Sequence, residues 1–105
     1  MTAGAVIVMV RLVASLYGVD ADMMQCIVER ESSYNVAAQN GECVGLVQWR
    51  PSTREWLAGK AAADPAWLHG NIGAGPVQDV ALAAFWIARG MGSHWATYEG
   101  CGGEE

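Results

Sequence analysis

Between residues 77 and 88 the sequence VQDVALAAFWIA carries Val77, Val80, Ala81, Ala84, Phe85 and Ala88 at helical spacing, and the pattern stops at Gly90. Such a segment reads as a buried helix, with its alanines on the side where a neighbouring element approaches closest. The chain has 105 residues, which is enough for one core and therefore one domain. Its residues are 52% hydrophobic and 16% charged, and five are Trp, the make-up of a folded domain rather than a disordered one. Large aromatics fill cores or line clefts where rings stack on flat ligands, and composition does not separate the two uses.

The remaining elements follow from their stop and start signals. Residues 4 to about 17 are too densely apolar for strand alternation and end at Tyr17-Gly18, a helix with a glycine stop. Asp20 is an N-cap for a second helix running to about Ser32, with Asp22 in its first turn and Met23, Met24, Ile27 and Val28 as its apolar stripe. From Asn35 to Glu42 the chain turns small and polar, and Asn40-Gly41 predicts a tight turn in a loop or small hairpin. Ser52 with Glu55 three residues on reads as a capping box, after Pro51, for a third helix carrying Trp56 and Leu57. A long connection over 61–75 contains a helical turn near Asp64-Pro65-Ala66-Trp67. Its GNIGAG end has neither a preceding strand nor a following Lys-Ser or Lys-Thr, so it reads as linker rather than phosphate loop. The glycine and glutamate tail reads as frayed.

A net charge of −5 with only six Lys and Arg, all scattered, argues against a nucleic-acid partner. The same charge leaves room for an anionic polymer if the cleft is locally neutral. Met1 to Val10 is apolar, but it lacks a basic start and a small-residue cleavage site and is too short to span a bilayer, so it is expected to open the first packed helix. Cys26, Cys43 and Cys101 permit one disulfide in three pairings plus one thiol, or three reduced residues, and their spacing does not make a zinc site. His69 and His94 have no third ligand at metal spacing and read as solvated or satisfied; no metal or other cofactor is expected.

Glu29 and Glu31 stand roughly 200° apart on the second helix, so they face different surroundings. Glu31 continues the stripe of Met24 and Ile27, whereas Glu29 projects with Gln25 toward the polar side and reads as a solvated charge. Glu31 also lies in the last helical turn, where unpaired carbonyls and burial both favour a protonated carboxyl. The plainer alternative is a helix-end carboxyl bonded to nearby backbone or to Arg30.

Glu31-Ser32, then Asn35, Ala38, Gly45-Leu46-Val47-Gln48, Pro51 and Thr53 form a spaced series that resembles the lysozyme-like domain of soluble lytic transglycosylases and their phage relatives. The resemblance is specific over Tyr17 to Thr53 and loose over Val77 to Tyr98. Val36 stands where that pattern has proline and Val47 where it has methionine, and a later Tyr-Asn-Ala-Gly stretch is lacking. Trp49 and the ending SHWATYEGC are closer to small phage cell-wall lysozymes.

The resemblance implies a mainly α, lysozyme-like single domain with a small loop or hairpin lining the cleft. It also implies cleavage of the bond between N-acetylmuramic acid and N-acetylglucosamine, with Glu31 as general acid and then base. Ser32 is expected to support Glu31, Gln48 to bond substrate amide or hydroxyl groups, and Tyr34 and Asn35 to lie with the substrate-binding group. Trp49, Trp95 and Tyr98 are candidates for sugar stacking, with core packing as the alternative for each and for Tyr34. A hydrolase that inverts would need a second carboxylate, for which Glu42, Asp64 and Asp79 are the available residues. Partners implied are peptidoglycan glycan strands or, for a virion protein, phage tail components. The place of action implied is the bacterial periplasm or cell wall, reached as a phage-encoded or secreted protein.

Overall fold

The computed structural model describes residues 1–70 and 75–103. Five α-helices and one two-stranded hairpin are present among them: α1 (Ala3–Leu16), α2 (Ala21–Ser32), β1 (Gln39–Asn40), β2 (Cys43–Val44), α3 (Pro51–Ala62), α4 (Pro76–Trp86) and α5 (Thr97–Gly100). The mainly helical, single-domain reading therefore holds. The GNIGAG linker falls largely on residues 71–74, and the end of the tail on 104–105, outside the described residues.

α4 is the centre of the molecule. Val80, Ala81, Leu82, Ala83, Ala84 and Phe85 are all buried, as a helix apolar on every side must be. Its α-helical turns end at Trp86, and the chain runs on through Ile87–Met91 across a kink at Gly90, which takes φ 88°. That left-handed conformation suits a residue without Cβ. α1 packs on α4 and α2 through Val6, Val10, Val13 and Ala14, and turns Val8, Leu12 and Leu16 outward. No described helix is long and apolar enough to cross a membrane.

Local chemistry accounts for most boundaries. The Asp20 side chain accepts from the Met23 N–H at 2.9 Å, the N-cap expected of it, and α1 stops at Tyr17 before Gly18 at φ 74°. β1 and β2 pair antiparallel, Gln39 with Val44 and Asn40 with Cys43, around a turn in which Gly41 has φ 62°. Asp64 organises the expected turn: its carbonyl accepts from Trp67 and its carboxylate from the Ala66 N–H. That Ala66 bond, with the nearby Arg89 guanidinium, holds the Asp64 carboxyl below its ordinary range.

The capping box is corrected. α3 begins two residues earlier, with Arg50 at the N-cap in place of Ser52 and Pro51 in the first turn, and no side chain caps it. Proline's fixed φ and missing N–H suit the first helical position, and this moves Ser52 inside the helix.

The open question about the cysteines is settled by a Cys26–Cys101 disulfide, which ties the segment after α5 to the middle of α2. Cys43 is a free thiol. The bond closes a separation of 75 residues, so its reduction by a phosphine is expected to lower unfolding free energy by about 4 kcal/mol. Urea denaturation with and without reductant measures that loss.

The Tyr17 hydroxyl and His69 Nδ1 share a hydrogen bond of 2.5 Å, and the hydroxyl accepts from the Leu68 N–H at 3.2 Å. Burial pushes the Tyr17 phenol up and the His69 imidazolium down from their ordinary values. A histidine whose folded pKa is depressed stabilises the fold fully above its unfolded pKa, and loses that contribution as pH falls from there through the folded value. Stability should therefore decline on acidification below about pH 6.5. The decline should be shallower in His69→Gln, which urea midpoints at pH 7.5 and pH 5 will compare.

Candidate active site

The end of α2, the hairpin, the start of α3 and the segment before α5 meet around a pocket of about 340 Å³ lined by Glu31, Cys43, Gln48, Arg50, Thr53, His94, Trp95 and Ala96. Glu31 is half-buried in it. Its Oε2 accepts from the Thr97 hydroxyl at 3.0 Å. Neither Arg30 nor the backbone bonds to it among the described residues, and no described cation forms an ion pair with it. The helix stripe thus delivers a carboxyl group to a concave surface, with one oxygen fixed by a neutral donor.

The chain leaves α2 through a tight reversal. Ser33 and Tyr34 have φ of 52° and 64°, and the Ser33 N–H returns to the Glu29 carbonyl at 2.8 Å. Two successive side-chain-bearing residues in the left-handed region are sterically costly. The reversal stops α2 one residue past Glu31, so that the helix end projects the carboxyl into the pocket.

Gln48 is the third residue of this kind, at φ 55°. Its Nε2 donates to the carbonyls of Ala38 at 3.2 Å and Gly45 at 2.8 Å. Two carbonyl partners fix which end of the amide is the nitrogen. The other end, Oε1, is buried and has no protein partner. Gln48 therefore spends its donors on holding the loop together and keeps one buried acceptor oxygen without a partner.

The remaining expectations divide. Ser32 is buried and donates to the Val28 carbonyl at 2.9 Å, so it closes its own helix instead of supporting Glu31. Serine in a last helical turn commonly satisfies the carbonyl four residues back. Tyr34 is half-buried; its hydroxyl donates to Glu29 at 2.9 Å and receives from Gln25, and burial raises its phenol pKa. Glu29 is thus exposed as expected but bonded to Tyr34. Asn35 is exposed and accepts from the Ala37 N–H. None of Ser32, Tyr34 and Asn35 lines the pocket, nor does Glu29.

Trp49 is corrected from sugar platform to core: it is 1% exposed, and its indole donates to the Asp79 carbonyl at 3.0 Å. Trp95 is also core, donating to the Val47 carbonyl at 2.8 Å, but it reaches the pocket wall. Tyr98 lines a separate depression with Ser93 and Glu99, and Gly92 and Gly103 crowd its ring where a Cβ would collide. Its ring is therefore packed and not open for stacking.

The other carboxylates are engaged elsewhere. Asp79 pairs with Arg54 at 2.6 Å, Asp64 with Arg89 at 3.1 Å, and Glu42 with Arg50 at 3.7 Å. No group of three or more His, Cys, Asp or Glu side chains is placed to hold a metal among the described residues.

Sequence reasoning set aside His94 and Cys43 and did not single out Arg50 or Thr97. Thr97 lies 66 residues from its partner, and no local pattern announces such a pairing. No family model matches the chain, and no curated protein or solved structure gives a significant match.

The two roles of Gln48 make a stability test. Gln48→Ala should cost about 1–2 kcal/mol through its lost amide bonds. Gln48→Gly should cost less, because glycine accepts positive φ freely; urea denaturation of both variants will rank them.

Proposed function

We propose that the chain is a peptidoglycan-cleaving enzyme of lysozyme-like fold, acting on the β-1,4 bond between N-acetylmuramic acid and N-acetylglucosamine with Glu31 as general acid and then base. The observation that carries this reading is that Glu31 is the one carboxyl among the residues lining the pocket, and that no cation forms an ion pair with it among the described residues. The spaced series from Glu31 to Thr53 supports it, since Glu31, Gln48 and Thr53 all line this pocket.

In the first step the Glu31 proton passes to the glycosidic oxygen, because a sugar alkoxide leaves poorly unless protonated. The substrate's own acetamido oxygen supports the developing sugar cation. Glu31, now a carboxylate, takes a proton from the nucleophile that completes the reaction. An inverting hydrolase would need a second carboxylate about 6.5–9.5 Å away to hold water. Glu42, Asp64 and Asp79 are each paired with an arginine and do not line the pocket. The absence of a further carboxyl from the lining favours the substrate 6-hydroxyl as nucleophile, giving a 1,6-anhydro product, as in a lytic transglycosylase.

Glycan strands of the bacterial cell wall are the proposed partner, and the enzyme would reach them as a phage-encoded or secreted protein. The disulfide fits such an oxidising setting.

Glu31→Gln should lower wall lysis about 10²- to 10⁴-fold without unfolding the chain, while Glu29→Gln stays close to the parent. Turbidity loss of purified peptidoglycan measures the rate, and mass spectrometry of the released muropeptides reads the bond chemistry. Reducing-end N-acetylmuramic acid without any anhydro form would make the protein a hydrolase. A wall-binding chain with no lysis would make it a silent binding module.

A further inference from the structure

Glutamate has three side-chain torsions, and one in the last turn of a helix is held in a single rotamer only if something outside the helix holds it. For Glu31 that contact is the Thr97 hydroxyl, which donates to Oε2 at 3.0 Å. Oε1 has no hydrogen-bond partner among the described residues. We propose that Thr97 is a positioning residue for Glu31, fixing one carboxyl oxygen so that the other is presented to the pocket, and that the Cys26–Cys101 disulfide holds Thr97 in place. The inference rests on Glu31 being the acid of the reaction proposed above.

The covalent link explains how so slight an element can position anything. α5 is only four residues long, Thr97–Gly100, far too short to be stable alone. Thr97 and Cys101 are four positions apart and share one face of it. Both meet α2, Thr97 at Glu31 and Cys101 at Cys26, with a Cα separation of 5.6 Å across the disulfide. α5 is thus anchored to α2 at both ends of one helical turn. Gly100, between the anchors, has no Cβ, and the Arg30 guanidinium passes 2.8 Å from where one would be.

The chemistry gives the contact a direction. When Glu31 gives up its proton, negative charge develops on the carboxyl group, and a hydrogen bond from a neutral hydroxyl to a forming carboxylate strengthens. An interaction that is stronger in the transition state than in the ground state raises turnover and not substrate affinity. The structure places Thr97 against Glu31 and outside the lining of the pocket, so its loss should spare KM.

The test compares Thr97→Val, which keeps the shape and removes the donor, with Thr97→Ser, which keeps the donor. Both are assayed on soluble peptidoglycan fragments, with thermal unfolding run in parallel. Thr97→Val is expected to lower kcat about tenfold, with KM within about twofold of the parent. Thr97→Ser should restore most of the loss, and both should unfold near the parent temperature. A Thr97→Val enzyme with parental kcat, or equal impairment of Val and Ser variants at unchanged stability, overturns the positioning role. The outcome is separate from the fate of the proposed reaction: a parent protein with no lysis, or a Glu31→Gln variant that retains it, overturns the assignment of Glu31 itself and this inference with it.

Discussion

Two indole N–H groups hold the pocket in shape. Trp49 donates to the Asp79 carbonyl in the first turn of α4, and Trp95 donates to the Val47 carbonyl from the segment before α5. The two rings pack edge to face with centroids 5.1 Å apart. Between them the segment 44–49 is closed on itself by paired Val44 and Trp49 backbone bonds, each of 3.0 Å. Gly45 passes so close to the Asp79 carboxylate that a Cβ would lie 2.9 Å from its oxygen, and the Arg54 pair keeps that carboxylate in position. A loop tied in this way can hold one wall of a pocket without belonging to a sheet. Both tryptophans are spent on this task, and for that reason neither presents an open ring face to a ligand.

The same region concentrates the backbone cost of the fold. Ser33, Tyr34 and Gln48 are the side-chain-bearing residues with positive φ among the described residues, and they fall at the end of α2 and in the loop beside Glu31. Each such residue costs on the order of 1 kcal/mol or more, and persists only where neighbouring bonds dictate its conformation. Here those bonds are specific: Ser33 N–H to Glu29, the Tyr34 hydroxyl to Glu29, and the Gln48 amide to Ala38 and Gly45. Glu29 thereby acquires a structural purpose that its exposure alone hides. It secures the reversal that ends α2, while its near neighbour Glu31 faces the pocket.

What was legible in the chain was what depends on near neighbours. The Asp20 cap, the Asn40-Gly41 turn, the Asp64 turn and the apolar repeat of α4 each rest on residues a few positions apart, and each forms as the sequence predicts. The capping box failed for an equally local reason: Pro51 competes for the first helical position and takes it. Roles decided by distant partners were not legible. Trp49 reaches 30 residues along the chain and Trp95 reaches 48 to find their carbonyls, and an aromatic residue in a motif looks the same whether it stacks on a ligand or packs inside. Ser32 illustrates the limit from the other side. The motif places it beside Glu31, yet its hydroxyl is taken by the helix that carries it.

The acidity of the chain bears on the proposed substrate through its distribution more than through its total. The net charge is −5, but Asp22, Asp64 and Asp79 are each matched to an arginine away from the pocket. Arg50, by contrast, lies on the pocket wall. Its pairing with Glu42, at 3.7 Å and with the two side chains 63% and 79% exposed, belongs to the class of surface ion pairs that contribute little. The lining thus holds one carboxyl group, Glu31, and one guanidinium, Arg50, with no excess of acid. Surface acids farther than about 8 Å are screened at physiological salt. An anionic glycan would meet a repulsive exterior at long range and a pocket without an excess of acid at contact, so the surface acids should slow encounter at low ionic strength without opposing the bond-breaking step.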